Sequence, residues 1–346
     1  MKKSIRLLFI SFILLFNLNA RDSSKTTINI MAVGDIMMGT DFPKDRLPPN
    51  DGKELFKDVK AILSSADLTI GNLEGVLLDG GEPRKQCRDT SICYLFRTPT
   101  KYGYNLVECG FDFISVANNH ANDFGKAGIK STKDILDKNG IQYSGRIGDT
   151  AVKEVNGIKI GFIAFATSSG CYSLLNYRYA AGEIKALKKK CDVLIVSFHG
   201  GAEGMEALHV ADSLEIAYGE KRGNVIRFSK NAIDAGADLV IGHGPHVPRA
   251  VELYKNKLIA YSLGNFCTYK GFSLEKAKGL APILNVKLDG NGNFVEGKII
   301  SAKQVRPYGP LLDPNQSVYK LIQKLTNEDI KENKLLFSPD GSFTKK

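Results

Sequence analysis

Short apolar runs recur along the chain between segments in which apolar residues return every three or four positions. The runs Ile28–Val33, Leu68–Ile70, Phe113–Val116, Val193–Phe198 and Leu239–Ile241 read as buried strands. The helical spacing predicts helices over Glu54–Ala66, Lys126–Asn139 (closed by Gly140), Ala180–Lys190 and Val225–Ala235, the last ending near Gly236. Val152–Val155 and Lys159–Ala166 flank Asn156-Gly157, a strong hairpin signal. After Ile241 the character changes. Ala250–Tyr254, Leu258–Ser262, Ile283–Leu288 and Phe294–Ile300 predict antiparallel strands, with turns at Asn256 and Gly290-Asn291-Gly292. This order indicates an α/β protein with antiparallel strands added late. The polar stretch beyond about Glu328 is expected to be poorly ordered.

The first twenty residues change the picture. Lys2, Lys3 and Arg6 precede the apolar run Leu7–Phe16, and a short polar stretch ends in Ala20. This is the order of an export signal, with a retained N-terminal anchor as the alternative. The chain is then expected to be exported: periplasmic, at the cell surface, or membrane-anchored through the N-terminus. The formal charge is +10, of which this segment carries +3, leaving +7. For an exported protein that balance favours an anionic surface or substrate over nucleic acid. Six cysteines in such a chain permit disulfides, and Cys87 with Cys93 in a polar stretch reads as a local bridge. Cys109, Cys171, Cys191 and Cys267 lie in or beside apolar segments and read as free buried thiols.

Candidate chemistry sits just past the strand ends, where α/β sheets place their ligand sites. Five loops carry it: Gly34-Asp35, Gly71-Asn72-Leu73-Glu74-Gly75, Asn118-Asn119-His120 continuing to Asp123, His199-Gly200-Gly201-Ala202-Glu203, and Gly242-His243-Gly244-Pro245-His246. Four of the five histidines fall in these loops. Each loop alone reads as a turn or a helix cap. Together, carboxylates, amide oxygens and imidazoles suit zinc, manganese or iron.

The ordered set Gly34-Asp35, Gly71-Asn72-Leu73-Glu74, Ala117-Asn118-Asn119-His120, Ser197 to Glu203 and Gly242 to His246 resembles the CapA family of poly-γ-glutamate capsule-synthesis proteins. The stretch Ala260-Tyr261-Ser262-Leu263-Gly264-Asn265-Phe266 is similar to another of its signatures. The resemblance implies a calcineurin-like metallophosphoesterase fold, a four-layer α/β/β/α sandwich, over about residues 27–310, with a C-terminal helix and polar tail at 311–346. It implies a divalent-metal site of one or two ions, with Asp35, Asn119, His199, His243 and His246 as ligands. Glu74 takes the place of the bridging carboxylate, and His120 that of the general acid. Asn72, Asn118, Asp123, Glu203 and Asn265 are the expected substrate-binding residues. Two departures weaken a dinuclear centre: Met37 stands where the superfamily has histidine, and Asn72 where it has aspartate. The implied role is synthesis, transfer or release of an anionic polymer of γ-glutamyl units, alongside membrane-bound polymer-synthesis proteins. A non-catalytic polymer-binding or export factor, and a periplasmic phosphoesterase, are the alternatives.

Overall fold

The computed structural model describes residues 26–84 and 94–346. The 1–20 segment and the Cys87–Cys93 pair therefore lie outside the described residues.

Alternate side chains of a strand point to opposite faces, and here each face finds its own core. In the strand Thr27–Met37, Ile28, Ile30 and Ala32 join one buried cluster, while Met31 and Val33 join another. In Val193–His199, Val193 and Ile195 join that same first cluster, and Leu194, Val196 and Phe198 a third. The shared cluster fills the space between two sheets. The second cluster packs the first sheet against Leu55, Phe56, Val59, Leu63, Leu106 and Leu136, the last on the helix Gly125–Lys138. The third packs the second sheet against the helices Tyr177–Lys188 and Val225–Asp234. The layers are thus α/β/β/α, the expected four-layer sandwich.

The first sheet runs in the order Leu335–Phe337, Ser342–Lys345, Phe294–Val305, Leu280–Asp289, Thr27–Met37, Leu68–Leu73, Phe113–Ser115, Gln142–Ser144. From Thr27–Met37 onward its strands are parallel. The second runs Val251–Tyr254, Lys257–Ala260, Leu239–His243, Val193–His199, Ile158–Ala166, Ala151–Val155. Asn156 and Gly157 both have positive φ (54° and 76°), the twist-matched turn expected between antiparallel Ala151–Val155 and Ile158–Ala166.

Three expectations need correction. The residues beyond Glu328 are not a loose tail. Leu335–Phe337 and Ser342–Lys345 extend the first sheet, burying Leu335 and Phe343, with the Phe343 ring stacked on Phe294 at 5.6 Å. The Glu54–Ala66 helix shrinks to Lys60–Leu63, because the chain before it closes i→i−3 bonds and docks on another strand, Asp58 accepting from the Leu312 amide at 2.7 Å. Finally, Lys257–Ala260 is antiparallel to Val251–Tyr254 but parallel to Leu239–His243. The parallel part of the second sheet therefore continues past the point where the sequence suggested it stopped.

The stretch after Ala260 crosses from the second sheet to the first. The Asn265–Thr268 strand then lies parallel to the end of Thr27–Met37, with Asp35 opposite Asn265. Two glycines make room for the crossing. A Cβ on Gly34 would lie 2.0 Å from the Gly264 carbonyl oxygen, and one on Gly242 2.2 Å from that of Tyr261. Only a residue without a side chain allows such close backbone approach.

Candidate metal centre

Strand register sets the centre before any side chain is considered. Asp35 is opposite Asn72 on one neighbouring strand and Asn265 on the other. In the second sheet His199 is opposite His243. The C-terminal ends of both parallel sets meet at one end of the sandwich, and Asp35, Asn72, Glu74, Asn118, His199 and His243 are all buried there.

The hydrogen bonds have only one consistent direction. The backbone amide of His120 donates to Asn118 Oδ1 at 3.1 Å, which fixes that side chain's orientation. Asn118 Nδ2 then donates to the Leu73 carbonyl at 2.8 Å and to Asn72 Oδ1 at 3.1 Å. Asn72 Nδ2 consequently faces inward, donating to Asp35 Oδ1 at 2.8 Å and Glu74 Oε2 at 2.7 Å. The second oxygen of Asp35 accepts from His246 Nδ1 at 2.9 Å, while His243 Nδ1 stands 3.4 Å from the first. His199 Nε2 lies 3.2 Å from Glu74 Oε2. His246 reaches its position from a left-handed backbone (φ 57°), a conformation uncommon outside glycine that recurs at functional sites.

Electrostatics follow from this packing. Burial opposes ionisation of Asp35, but the imidazoles of His243 and His246 outweigh it and hold the carboxyl well below its ordinary range. Glu74 is likewise lowered: burial works against it, and the neighbouring His199 imidazole prevails. Burial alone would lower His246; the hydrogen bond and charge of Asp35, aided by Glu74 and Glu203, instead raise it to about 9.

The residues present fit a cation. Asp35, Glu74 and His199 each offer a ligand atom within 4.8 Å of the others. Ligands around one ion at about 2.0–2.2 Å span at most about 4.4 Å, so small side-chain movements close the set. Glu74 Oε1, Asn119 Oδ1, His199 Nε2 and both ring nitrogens of His243 are buried without a hydrogen-bond partner. Buried polar atoms are almost always paired, and a cluster of orphans calls for an ion or ordered water.

Above this floor opens a cleft of about 1010 Å³, lined in part by Asn119, His120, Glu203, His246 and Asn265. The structure thus brings the expected site residues together at one end of the sandwich, in two tiers. Asp35, Asn72, Glu74, Asn118, His199 and His243 form the floor, and Asn119, His120, Glu203, His246 and Asn265 the wall, with Asp123 buried behind His120. His120 Nδ1 is 2.8 Å from Asp123 Oδ2, which also accepts the Phe96 amide at 3.0 Å. An ionised carboxylate only accepts, so Nδ1 carries the proton and Nε2 is the free face of the ring. Asn265 donates to the Lys278 carbonyl at 3.1 Å and leaves its Oδ1 buried without a partner. Glu203 pairs with Arg222 at 3.0 Å and stands 4.0 Å from His246 Nε2.

Sequence reasoning missed several wall residues. Phe96 packs against His120 at a tilt of 40° with ring centroids 4.3 Å apart, and Phe272 packs edge-on to His246 at 4.8 Å. Lys221, Arg222 and Lys278 also line the cleft, Arg222 being paired with Glu203 and Glu220. None of these carries a local motif; Glu220-Lys221-Arg222 reads as an ordinary solvated turn. Cys109, Cys171, Cys191 and Cys267 are free and buried, and lie outside the cleft lining.

A family model described as bacterial capsule synthesis protein PGA_cap matches residues 29–270. The capsule biosynthesis protein CapA of Bacillus anthracis is 26% identical over 328 residues, covering 89% of this chain and 75% of that protein. The PGA biosynthesis protein CapA of Bacillus subtilis (strain 168) is 27% identical over 345 residues, covering 92% and 84%. Among solved structures, a putative 5'-nucleotidase from Staphylococcus aureus superposes with a TM-score of 0.42 at 13% identity. It covers 88% of this chain and 58% of the other.

Proposed function

Because the chain belongs to the bacterial capsule synthesis protein PGA_cap family, we propose that its cleft performs metal-assisted chemistry on an anionic, γ-glutamyl-type capsule polymer outside the cytoplasmic membrane. The observation that carries this reading is the set of buried polar atoms without hydrogen-bond partners, on Glu74, His199 and His243 at the floor and on Asn119 in the wall of a cleft also lined by Lys221 and Lys278. The export-like order of residues 1–20 supports the location. No helix among the described residues is long and apolar enough to cross a membrane. Membrane-bound polymer-synthesis proteins are the partners this reading implies.

A divalent ion held by residues such as Asp35, Glu74 and His199 would polarise a carbonyl oxygen and lower the pKa of a water. The chain's own residues do the rest. Lys221 and Lys278 draw polymer carboxylates into the cleft, while Arg222 is held by Glu203 and Glu220. Asp123 holds His120 in one tautomer, with Phe96 against its ring. Once His120 is protonated, its Nε2–H delivers a proton to the departing amide nitrogen as the γ-amide C–N bond breaks.

The test is purified protein with a defined γ-glutamyl oligomer, with and without added Zn²⁺ or Mn²⁺, read by mass spectrometry. Metal-dependent change in oligomer length, lost in His120→Asn with oligomer binding retained, is expected. Binding without turnover in the wild type points instead to a polymer-holding or export factor. Faster cleavage of a generic phosphodiester points to a phosphoesterase.

A further inference from the structure

We propose that the outer face of the hairpin 215–223, with Leu214 beside it, is a second contact surface for the polymer, taking the units that run out of the cleft over its rim. Leu214, Ile216, Tyr218 and Lys221 form that surface. This rests on the γ-glutamyl reading of the cleft and extends it to residues outside the cleft.

The hairpin has two faces of opposite character. Its strands Glu215–Ala217 and Glu220–Gly223 pair antiparallel, and Tyr218 and Gly219 turn between them with φ 51° and 76°. A two-stranded ribbon is marginal alone in water. This one is pinned from its inner face, by Glu215 on Arg249 at 2.8 Å and by Arg222 on Glu203 at 3.0 Å. Successive side chains alternate between faces. Ile216 therefore points outward and is 59% exposed. Lys221 is its partner in register, and directly opposed residues share a face. Leu214 and Tyr218 flank Ile216 and are 48% and 82% exposed. The inner ion pairs hold the hairpin down without these apolar side chains, so packing does not account for them. Neighbouring exposed apolar side chains mark a contact surface.

The occupant follows from continuity and charge. Tyr218 and Lys221 also line the cleft, so the outer face begins where the cleft ends. The Tyr218 hydroxyl hydrogen-bonds Glu203 in the cleft wall, and its ring bridges wall and outer face. Lys221 makes no ion pair among the described residues, and the neighbouring Glu220 is engaged by Arg222 at 3.4 Å. The surface thus offers a cation beside apolar side chains. A γ-linked glutamyl chain is its complement, because each unit places methylenes in the main chain and hangs a carboxylate from it. Ile216, Leu214 and the Tyr218 ring cover the methylenes, and Lys221 meets a carboxylate. A bilayer surface would call for a cluster of cations around the apolar group. The length also suits a chain: Leu214 to Tyr218 spans about 13 Å at about 3.3 Å per residue. A γ-linked unit has five main-chain bonds where an α-linked one has three, so it extends about 6 Å, and about two units fit.

The experiment measures binding of the purified full chain to a γ-glutamyl dimer and a γ-glutamyl decamer by titration calorimetry. The variants are Leu214→Ser/Ile216→Ser, Ile216→Glu and Ile216→Lys, and neither position lines the cleft. The serine pair should bind the decamer about 10-fold more weakly, from two half-exposed apolar side chains lost. Dimer affinity and the urea midpoint should stay at wild-type values. Ile216→Glu should also lose decamer affinity, by repelling carboxylates, while Ile216→Lys keeps it. Decamer affinity equal in the wild type and all three variants, with dimer binding intact, overturns the surface and leaves the functional reading standing. A wild type that binds neither oligomer overturns the functional reading itself. Phosphatidylglycerol vesicles, or a second copy of the chain, held by the wild type and released by Ile216→Glu with decamer affinity unchanged, give the face another occupant and overturn the proposal.

Discussion

Arg249 offers the sharpest test of how the cleft wall is held. It is fully buried, and its guanidinium makes four hydrogen bonds. Nε donates to the Ala207 carbonyl at 2.5 Å and Nη2 to that of Ala202 at 3.1 Å. Glu215 accepts at 3.0 and 2.8 Å in a two-pronged pair. One side chain thus ties the loop carrying Glu203 to the hairpin strand that leads to Tyr218 and Arg222. Arg249→Met keeps an unbranched apolar stem and removes every donor. Glu215, whose side chain is only 12% exposed, then loses both guanidinium bonds and keeps the Ala202 amide among the described residues. Breaking a buried pair from one side costs about 3–5 kcal/mol. With a urea dependence of about 3 kcal/mol per molar, a loss of about 4 kcal/mol moves the midpoint down by about 1.3 M. The assay is urea denaturation of the wild type, Arg249→Met, Glu215→Leu and the double variant. Because the damage is largely an orphaned charge, the double variant should recover part of the loss, with a coupling of about 1–3 kcal/mol. A single-variant loss below about 1 kcal/mol, or a double variant equal to the sum of the singles, refutes the clamp.

Three further outcomes are expected. His246 is raised from 6.5 to about 9, so its stabilising contribution is complete below pH 6.5 and disappears as pH rises through about 9. At about 1.36 kcal/mol per pKa unit it amounts to at most about 3 kcal/mol, measured by urea unfolding of metal-free protein at pH 6 and 9.5; an unchanged pH slope in His246→Gln counts against it. Gly34→Ala should cost about 3 kcal/mol or prevent folding, since backbone oxygens of Gly264 and Leu263 lie 2.0 and 2.6 Å from the new Cβ; an alanine variant with the wild-type denaturation midpoint would show that the crossing has room. Asp123→Asn should lower γ-glutamyl turnover by about 10²-fold or more while oligomer binding stays unchanged, because the amide no longer fixes the His120 tautomer; turnover kept near wild type would remove Asp123 from the mechanism.

Much of this protein was determined locally. The runs Ile28–Val33, Val193–Phe198 and Leu239–Ile241 are rich enough in apolar residues to read as buried strands, and Asn156-Gly157 accepts the positive φ a hairpin turn demands. The candidate loops were legible for the same reason: polar residues immediately after a buried strand must emerge at a sheet end. Other features depend on partners far away in the chain. Leu335 and Phe343 lie in a polar stretch whose strand pattern is too short to stand alone; the Phe343 strand becomes sheet against Phe294–Val305 and the Leu335 strand against it in turn. Glu54–Ala66 has a helical apolar face, yet contact with Leu312 leaves only one turn of α-helix. Phe96, Arg222 and Arg249 carry no signal because their significance comes from what faces them. The inward direction of the Asn72 amide is likewise set by a relay from the His120 backbone through Asn118. A sequence states that an asparagine stands where a carboxylate was expected; only the fold decides which end of it meets Asp35, because hydrogen-bond direction belongs to the whole network.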